Sequence, residues 1–197
     1  MLQLPDGWLS DESIAFLREL IGMTSDLKGA FLEVGSCYGR SSVVIGSEAK
    51  KLKSKLYCVD TWNTDAWTNI AQGLPSSRRK FQWESDPDVY NKFAKNIKLA
   101  KLVTTIVPLM GVSISFQEKW KEPLRFVFVD GCHYYNFVRQ DAFWRKFLVK
   151  GGIIAFHDYG SGAWTEVKDA VCAEMDNDKL FQAVKLVANT KAFKKVV

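Results

Sequence analysis

Apolar residues along this chain gather in short unbroken runs separated by amphipathic stretches, the pattern of strands buried on both faces between covering helices. Ala30–Val34, Leu56–Asp60, Thr104–Leu109, Leu124–Val129 and Ile153–Phe156 are such runs, and each predicts a strand of a parallel sheet. Helical spacing fills the intervals. Ser10, Asp11 and Glu12 precede Ile14, Phe16, Leu17, Leu20 and Ile21, which predicts an N-capped helix over about 10–22 that stops at Gly22. Further helices are expected over Ser41–Ala49, Tyr90–Ala100, from Ser113 to about Trp120, Tyr135–Val149 and Ala163–Met175. Gly151-Gly152 is expected to break the helix before the fifth strand. Leu180–Val187 and Ala192–Val197 read as a closing hairpin, and the whole of 1–197 as one α/β domain.

Thr61–Pro87 holds no periodicity but carries Trp62, Trp67, Arg78, Arg79, Phe81 and Trp83. That many aromatics argue against disorder, so a lid or substrate-recognition insertion is expected over about 61–87, with a dimer contact as the rival.

With 47% hydrophobic and 13% aromatic residues the chain can fill one core. No apolar run reaches the roughly 18 residues of a membrane span, and Met1–Asp6 lacks the basic and apolar regions of a signal peptide. A soluble cytoplasmic protein with no membrane partner is expected. Cys37, Cys58, Cys132 and Cys172 show no metal-finger spacing and are expected as thiols. The net charge of +5 comes from scattered lysines without a nucleic-acid motif, so no nucleic-acid partner is expected.

The first strand is followed by a turn bracketed by Gly35 and Gly39 and then by a helix N-terminus, the parts of a nucleotide-type site. The dinucleotide fingerprint is G-x-G-x-x-G, whereas here the spacing is Glu33-x-Gly35-x-x-x-Gly39. Glu33 would repel a pyrophosphate and suits a cationic ligand. Glu33-Val34-Gly35-Ser36-x-x-Gly39 resembles the first motif of class I S-adenosylmethionine-dependent methyltransferases, whose ligand carries an ammonium and a sulfonium. Asp60 ends the second strand about 20 residues on, where nucleotide folds place the acid that binds ribose hydroxyls; this fits a nicotinamide cofactor and S-adenosylmethionine equally.

The strand ends collect Glu33, Asp60, Asp130, His133, His157 and Asp158, including both histidines of the chain. Asp130 and Asp158 end strands expected to be neighbours, about 5 Å apart, and together could hold one hard cation such as Mg²⁺. His157 is either a third ligand or a structural hydrogen-bonding group.

Phe126-Val127-Phe128-Val129-Asp130-Gly131-x-His133-x-Tyr135, the following helix with Asp141, and Gly151-Gly152-Ile153-Ile154-x-Phe156-His157-Asp158-Tyr159 resemble the methyltransferases that include macrocin and related macrolide-sugar O-methyltransferases and cephalosporin hydroxylase-like proteins. The similarity spans about residues 30–160. It implies a Rossmann-like class I methyltransferase fold: a seven-stranded, mostly parallel sheet with a C-terminal antiparallel hairpin and helices on both faces. It also implies O-methylation of a small acceptor, a sugar or other polyol, with His133 as general base. A divalent metal would sit on Asp130, His157 and Asp158. The cofactor would meet Glu33, Gly35, Ser36, Tyr38, Gly39 and Ser41 on the first turn, Asp60, Thr61 and Trp62 after the second strand, Met110 and Ser113 after the third, and Asp130. His157 stands where metal-dependent members carry an acid. The sequence leaves room for a homo-oligomer. The competing readings are an NAD(P)-dependent Rossmann oxidoreductase, disfavoured by Glu33 and the glycine spacing, and a methyltransferase-fold protein that binds S-adenosylmethionine without methyl transfer.

Overall fold

The computed structural model describes residues 4–62 and 86–197, so the lid expected over 61–87 lies outside the described residues apart from its two ends. Within that part of the chain the elements run α1 (Asp11–Gly22), β1 (Ala30–Val34), α2 (Arg40–Lys51), β2 (Leu56–Asp60), α3 (Val89–Leu99), β3 (Ile106–Met110), α4 (Ile114–Gln117), β4 (Leu124–Val129), α5 (Tyr135–Ala142), a 3₁₀ helix (Phe143–Phe147), β5 (Leu148–Phe156), α6 (Thr165–Met175), β6 (Phe181–Val187) and β7 (Thr190–Lys195). The strands form one sheet in the order β3-β2-β1-β4-β5-β7-β6. β1 to β5 are parallel, and β7 runs antiparallel to both β5 and β6. The expected Rossmann-like sheet with a closing hairpin is therefore present.

β1 lies in the middle of this sheet with every residue buried, which is why its sequence shows no polar alternation. Phe31 faces a cluster built with α1, α2 and α3, through residues such as Leu17, Val44 and Phe93. Leu32 and Val34 face the opposite cluster, built with α5, the 3₁₀ helix and α6 through Val138, Trp144 and Val171. Ser10 caps α1 by accepting the Ser13 N–H at 3.1 Å.

From β1 the chain builds outward through β2 to β3 and then returns to start β4 on the other side of β1. This reversal lies between the carboxyl ends of β1 and β4, the place where open α/β sheets split to admit a ligand. The Asp130 N–H donates to the Val34 carbonyl at 2.8 Å and closes the bottom of the split.

Several boundaries differ from the sequence reading. α5 stops at Ala142 and β5 already begins at Leu148, so Gly151 and Gly152 lie inside a strand. They form an irregularity opposite Arg125, where the β4–β5 register shifts, because a bulge needs the positive φ of Gly151 and the small profile of Gly152. β3 starts at Ile106, and the helix after it is the single turn α4, ending well before Trp120. No described helix is long and apolar enough to cross a membrane.

Candidate active site

A cavity of about 550 Å³ opens at the carboxyl ends of β1, β2, β4 and β5. Of the residues expected around a cofactor, Gly35, Ser36, Tyr38, Ser41, Asp60, Thr61, Ser113 and Asp130 line it. Glu33, Gly39, Trp62 and Met110 do not.

The turn after β1 is fixed from two sides. Asp60 Oδ2 accepts the backbone N–H groups of Ser36 at 2.8 Å and Cys37 at 2.9 Å, while Oδ1 accepts that of Trp62 at 2.8 Å. Burial raises the Asp60 pKa, and these three N–H groups act against that rise. Asp60 thus ties the end of β2 to the glycine turn as well as facing the cavity. Gly39, at φ +90°, starts α2 in the left-handed region, and its open side faces Phe93 rather than the cavity.

Glu33 corrects the expectation of a cofactor contact. It shares the face of β1 that carries Phe31, so its side chain passes beneath the turn into the protein, where it is 0% exposed. There Oε2 accepts the hydroxyls of Ser36, at 2.6 Å, and Ser42 and the Cys58 thiol at 3.3 Å. Burial raises its pKa against the pull of these donors. Oε1 has no partner among the described residues. Trp62 is likewise turned inward, 4.7 Å from Phe93 and 5.3 Å from Tyr90 between ring centroids, with its indole N–H donating to the Cys37 carbonyl at 3.0 Å. Met110, 57% exposed at the end of an edge strand, does not line the cavity.

The other end of the cavity holds the acid and histidine cluster. Asp130 follows β4, and His157 and Asp158 follow β5, the adjacent strand. His133, on the loop between β4 and α5, places Nε2 2.9 Å from Asp158 Oδ2 and stacks on Trp164 at 4.6 Å and 15°. This Nε2 is buried and makes no well-aligned hydrogen bond among the described residues. Ligand atoms of Asp130, His133 and Asp158 all lie within 4.8 Å of one another.

His157 stands behind this group. Its Nδ1 lies 3.1 Å from Asp130 Oδ1 and 3.2 Å from Asp158 Oδ2. Burial disfavours its charged form, but the two aspartates outweigh burial and push its pKa up to about 10, so the imidazolium is the resting form at neutral pH. For Asp158, burial would raise the pKa, yet the contacts with His133 and His157 prevail and hold the carboxyl well below the usual range. Asp158 also sits at φ +58°, a backbone conformation rare for a non-glycine residue and concentrated at functional sites.

Two segments frame the mouth. Arg40, the first residue of α2, donates from Nε to the Leu9 carbonyl and from Nη1 to that of Pro5, each at 2.9 Å. This holds Asp6, Gly7 and Trp8 against the cavity. The two-residue turn Ala188-Asn189 between β6 and β7 also reaches the cavity, and Ser13 donates to the Ala188 carbonyl at 3.0 Å. None of these was expected as a site residue, because the contacts join positions far apart in sequence. Asp141 is a further lining residue. Its signal was readable: it falls on the buried stripe of α5 with Val138 and Ala142, where an acid is rare.

A family model described as a methyltransferase domain matches residues 32–159, more than half of the chain. Among solved structures, the O-methyltransferase NovP aligns at 13% identity with a TM-score of 0.73, over 93% of this chain and 79% of NovP. CalS11, described as a TDP-rhamnose 3′-O-methyltransferase of calicheamicin biosynthesis, aligns at 12% identity and a TM-score of 0.64, over 94% and 81% of the two chains. The O-methyltransferase TomG from Streptomyces achromogenes, solved with S-adenosylmethionine, aligns at 10% identity and a TM-score of 0.69, over 96% and 82%. At these identities the three share the fold. The match over residues 32–159 sets aside the nicotinamide oxidoreductase reading, and with the sheet order and strand-end site it shows that the chain belongs to the class I S-adenosylmethionine-dependent methyltransferase family.

Proposed function

We propose that this protein transfers a methyl group from S-adenosylmethionine to a hydroxyl of a small molecule, a sugar or other polyol, with a divalent metal such as Mg²⁺ at the acceptor. One observation carries the reading: Asp130, His133 and Asp158 converge on the same cavity as the glycine turn. The descriptions of NovP, CalS11 and TomG as O-methyltransferases, and of CalS11 as acting on a sugar, support the choice of acceptor.

The residues fit a metal. Two carboxylates are what Mg²⁺ ordinarily takes from a protein, and a buried imidazole nitrogen without an aligned partner adjoins them. In this reading Asp130 and Asp158 hold the ion, which when bound would lower the pKa of the acceptor hydroxyl. His157, with Nδ1 given to both carboxylates, acts as a positioning residue for the pair rather than as the third ligand expected from its place in the sequence.

His133 serves as the base. As the acceptor oxygen forms its bond to the methyl carbon, the methyl–sulfur bond breaks and its electron pair stays on sulfur. The hydroxyl proton passes to the His133 imidazole, and Asp158, 2.9 Å from its Nε2, stabilises the imidazolium that results. Trp164, stacked on the ring, fixes its orientation. The turn held by Asp60 positions the cofactor for in-line attack.

Titration calorimetry with S-adenosylhomocysteine and with NADH, followed by methyl-transfer assays on sugar nucleotides and free polyols with and without EDTA, tests the proposal. Absence of S-adenosylhomocysteine binding would refute it. Binding without transfer to any hydroxyl would favour a cofactor-binding protein without turnover, and full activity in EDTA would remove the metal.

A further inference from the structure

Beside the loop that follows β3 the cavity holds a carboxyl for which methyl transfer has no use. Asp141 is 4% exposed and lines the cavity. The Ser113 hydroxyl faces it from the loop after β3. That hydroxyl oxygen already accepts the Trp144 indole N–H at 2.8 Å, so its own proton is available to Asp141. From the end of β4 comes only Gly131, whose missing Cβ would lie 3.4 Å from Asp141 Oδ2.

No cation faces this carboxyl among the described residues. Arg139, on the same helix, pairs with Glu174 of α6 at 2.6 Å, and Arg145 of the 3₁₀ helix pairs with Glu174 and Asp178 at 3.1 Å. Asp130, just before Gly131, is engaged with His157. A buried carboxyl with one hydroxyl neighbour and no counter-charge is costly unless a ligand completes its hydrogen bonding or it takes up a proton. Val112 and Ile114, 46% and 45% exposed, line the same cavity and offer apolar contact to the face of a flat ring.

We infer that Asp141 recognises the N1 and 6-amino edge of the cofactor's adenine, an inference that rests on the S-adenosyl reading above. Burial pushes the Asp141 pKa up to about 7, with the Ser113 hydrogen bond opposing. Below that pH the side chain is a carboxylic acid, whose O–H donates to adenine N1 while its carbonyl oxygen accepts from the 6-amino group. Once ionised it has no donor, and an oxygen lone pair then faces the N1 lone pair.

The probes are S-adenosylhomocysteine and its 1-deaza analogue, which lacks the N1 acceptor, titrated calorimetrically into the full chain at pH 6 and pH 8. S-adenosylhomocysteine should bind about tenfold more tightly to the wild type at pH 6 than at pH 8, roughly the worth of one hydrogen bond. The 1-deaza analogue should bind more weakly at pH 6 and show little of that dependence. Asp141→Asn, whose amide always has a donor and an acceptor, should bind S-adenosylhomocysteine equally at both pH values. Equal pH dependence for the two probes, or a pH dependence that persists in Asp141→Asn, would overturn the inference while leaving the cofactor assignment standing. Failure of the wild type to bind S-adenosylhomocysteine at either pH would overturn both.

Discussion

Gly35 and Asp130 approach so closely across the split between β1 and β4 that a Cβ on Gly35 would lie 2.1 Å from the Asp130 carbonyl oxygen. Gly35 also sits at φ +86°, so a side chain there would meet both a backbone clash and a strained conformation. Because Asp130 is rigid backbone at this point, relief would have to come from parting the two strands. Gly35→Ala should lower stability by about 2 to 4 kcal/mol, combining left-handed strain with displaced packing. It should also abolish S-adenosylhomocysteine binding. Denaturant unfolding and calorimetry check both, and wild-type stability in this variant would contradict the close approach.

Asp60 carries a double role, since its oxygens hold three N–H groups of the turn and of Trp62 while it lines the cavity. Asp60→Ala should weaken S-adenosylhomocysteine binding by about 2 to 4 kcal/mol, taking roughly 1.5 to 3 for each charge-assisted bond with incomplete additivity. Calorimetry on the variant gives the answer, and unchanged affinity would refute the ribose assignment.

For the acid cluster the expected pattern separates metal from base. Asp130→Asn and Asp158→Asn should leave cofactor affinity largely intact and cut turnover, with Asn tolerating the φ of +58° at position 158. His133→Ala should lower kcat by on the order of 10² to 10⁴, the usual share of a positioned general base. If instead the aspartates serve only as structural partners of His157 and His133, each change should lower stability by about 1 kcal/mol and leave turnover indifferent to chelator.

Asp141 makes stability depend on pH with a definite sign. Its folded pKa is raised to about 7 from an ordinary 3.8, so the folded protein binds the extra proton between these values. Its stabilising effect is complete below about pH 4 and is lost as pH rises through 7. Asp141→Asn removes this dependence. Relative to wild type, the variant should gain about 2 to 3 kcal/mol between pH 5 and pH 8, on the scale of 1.36 per pKa unit over the two units from 5 to 7. Chemical denaturation at the two pH values measures it, and a constant difference would refute a buried neutral carboxyl.

Much of the frame was legible because burial on both faces leaves a simple trace: β1, β2 and β4 have the bounds their apolar runs announce. The Gly151-Gly152 pair was misread because glycine signals both helix ends and strand bulges, and only the register against Arg125 distinguishes them. Asp60, Asp130, His133 and Asp158 were legible as strand-end residues, since topology alone brings strand ends together. Glu33, Trp62 and Met110 were not placed correctly because position near a strand end does not set direction. Alternation along β1 puts Glu33 on the face of Phe31, away from the cleft, and Trp62 turns inward through packing with Tyr90 and Phe93, residues far along the chain.

The tether of Arg40 to Pro5 and Leu9 makes the two ends of the described chain unequal for anyone handling the protein. A tag or surface linker placed ahead of Leu4 would hang beside the mouth of the cavity and pull on the helix behind the glycine turn. β7 runs antiparallel to β5, so Val196 and Val197 emerge at the opposite rim of the sheet, beside the amino ends of the parallel strands. Immobilisation through that rim would present the open cleft to solution, whichever acceptor it takes.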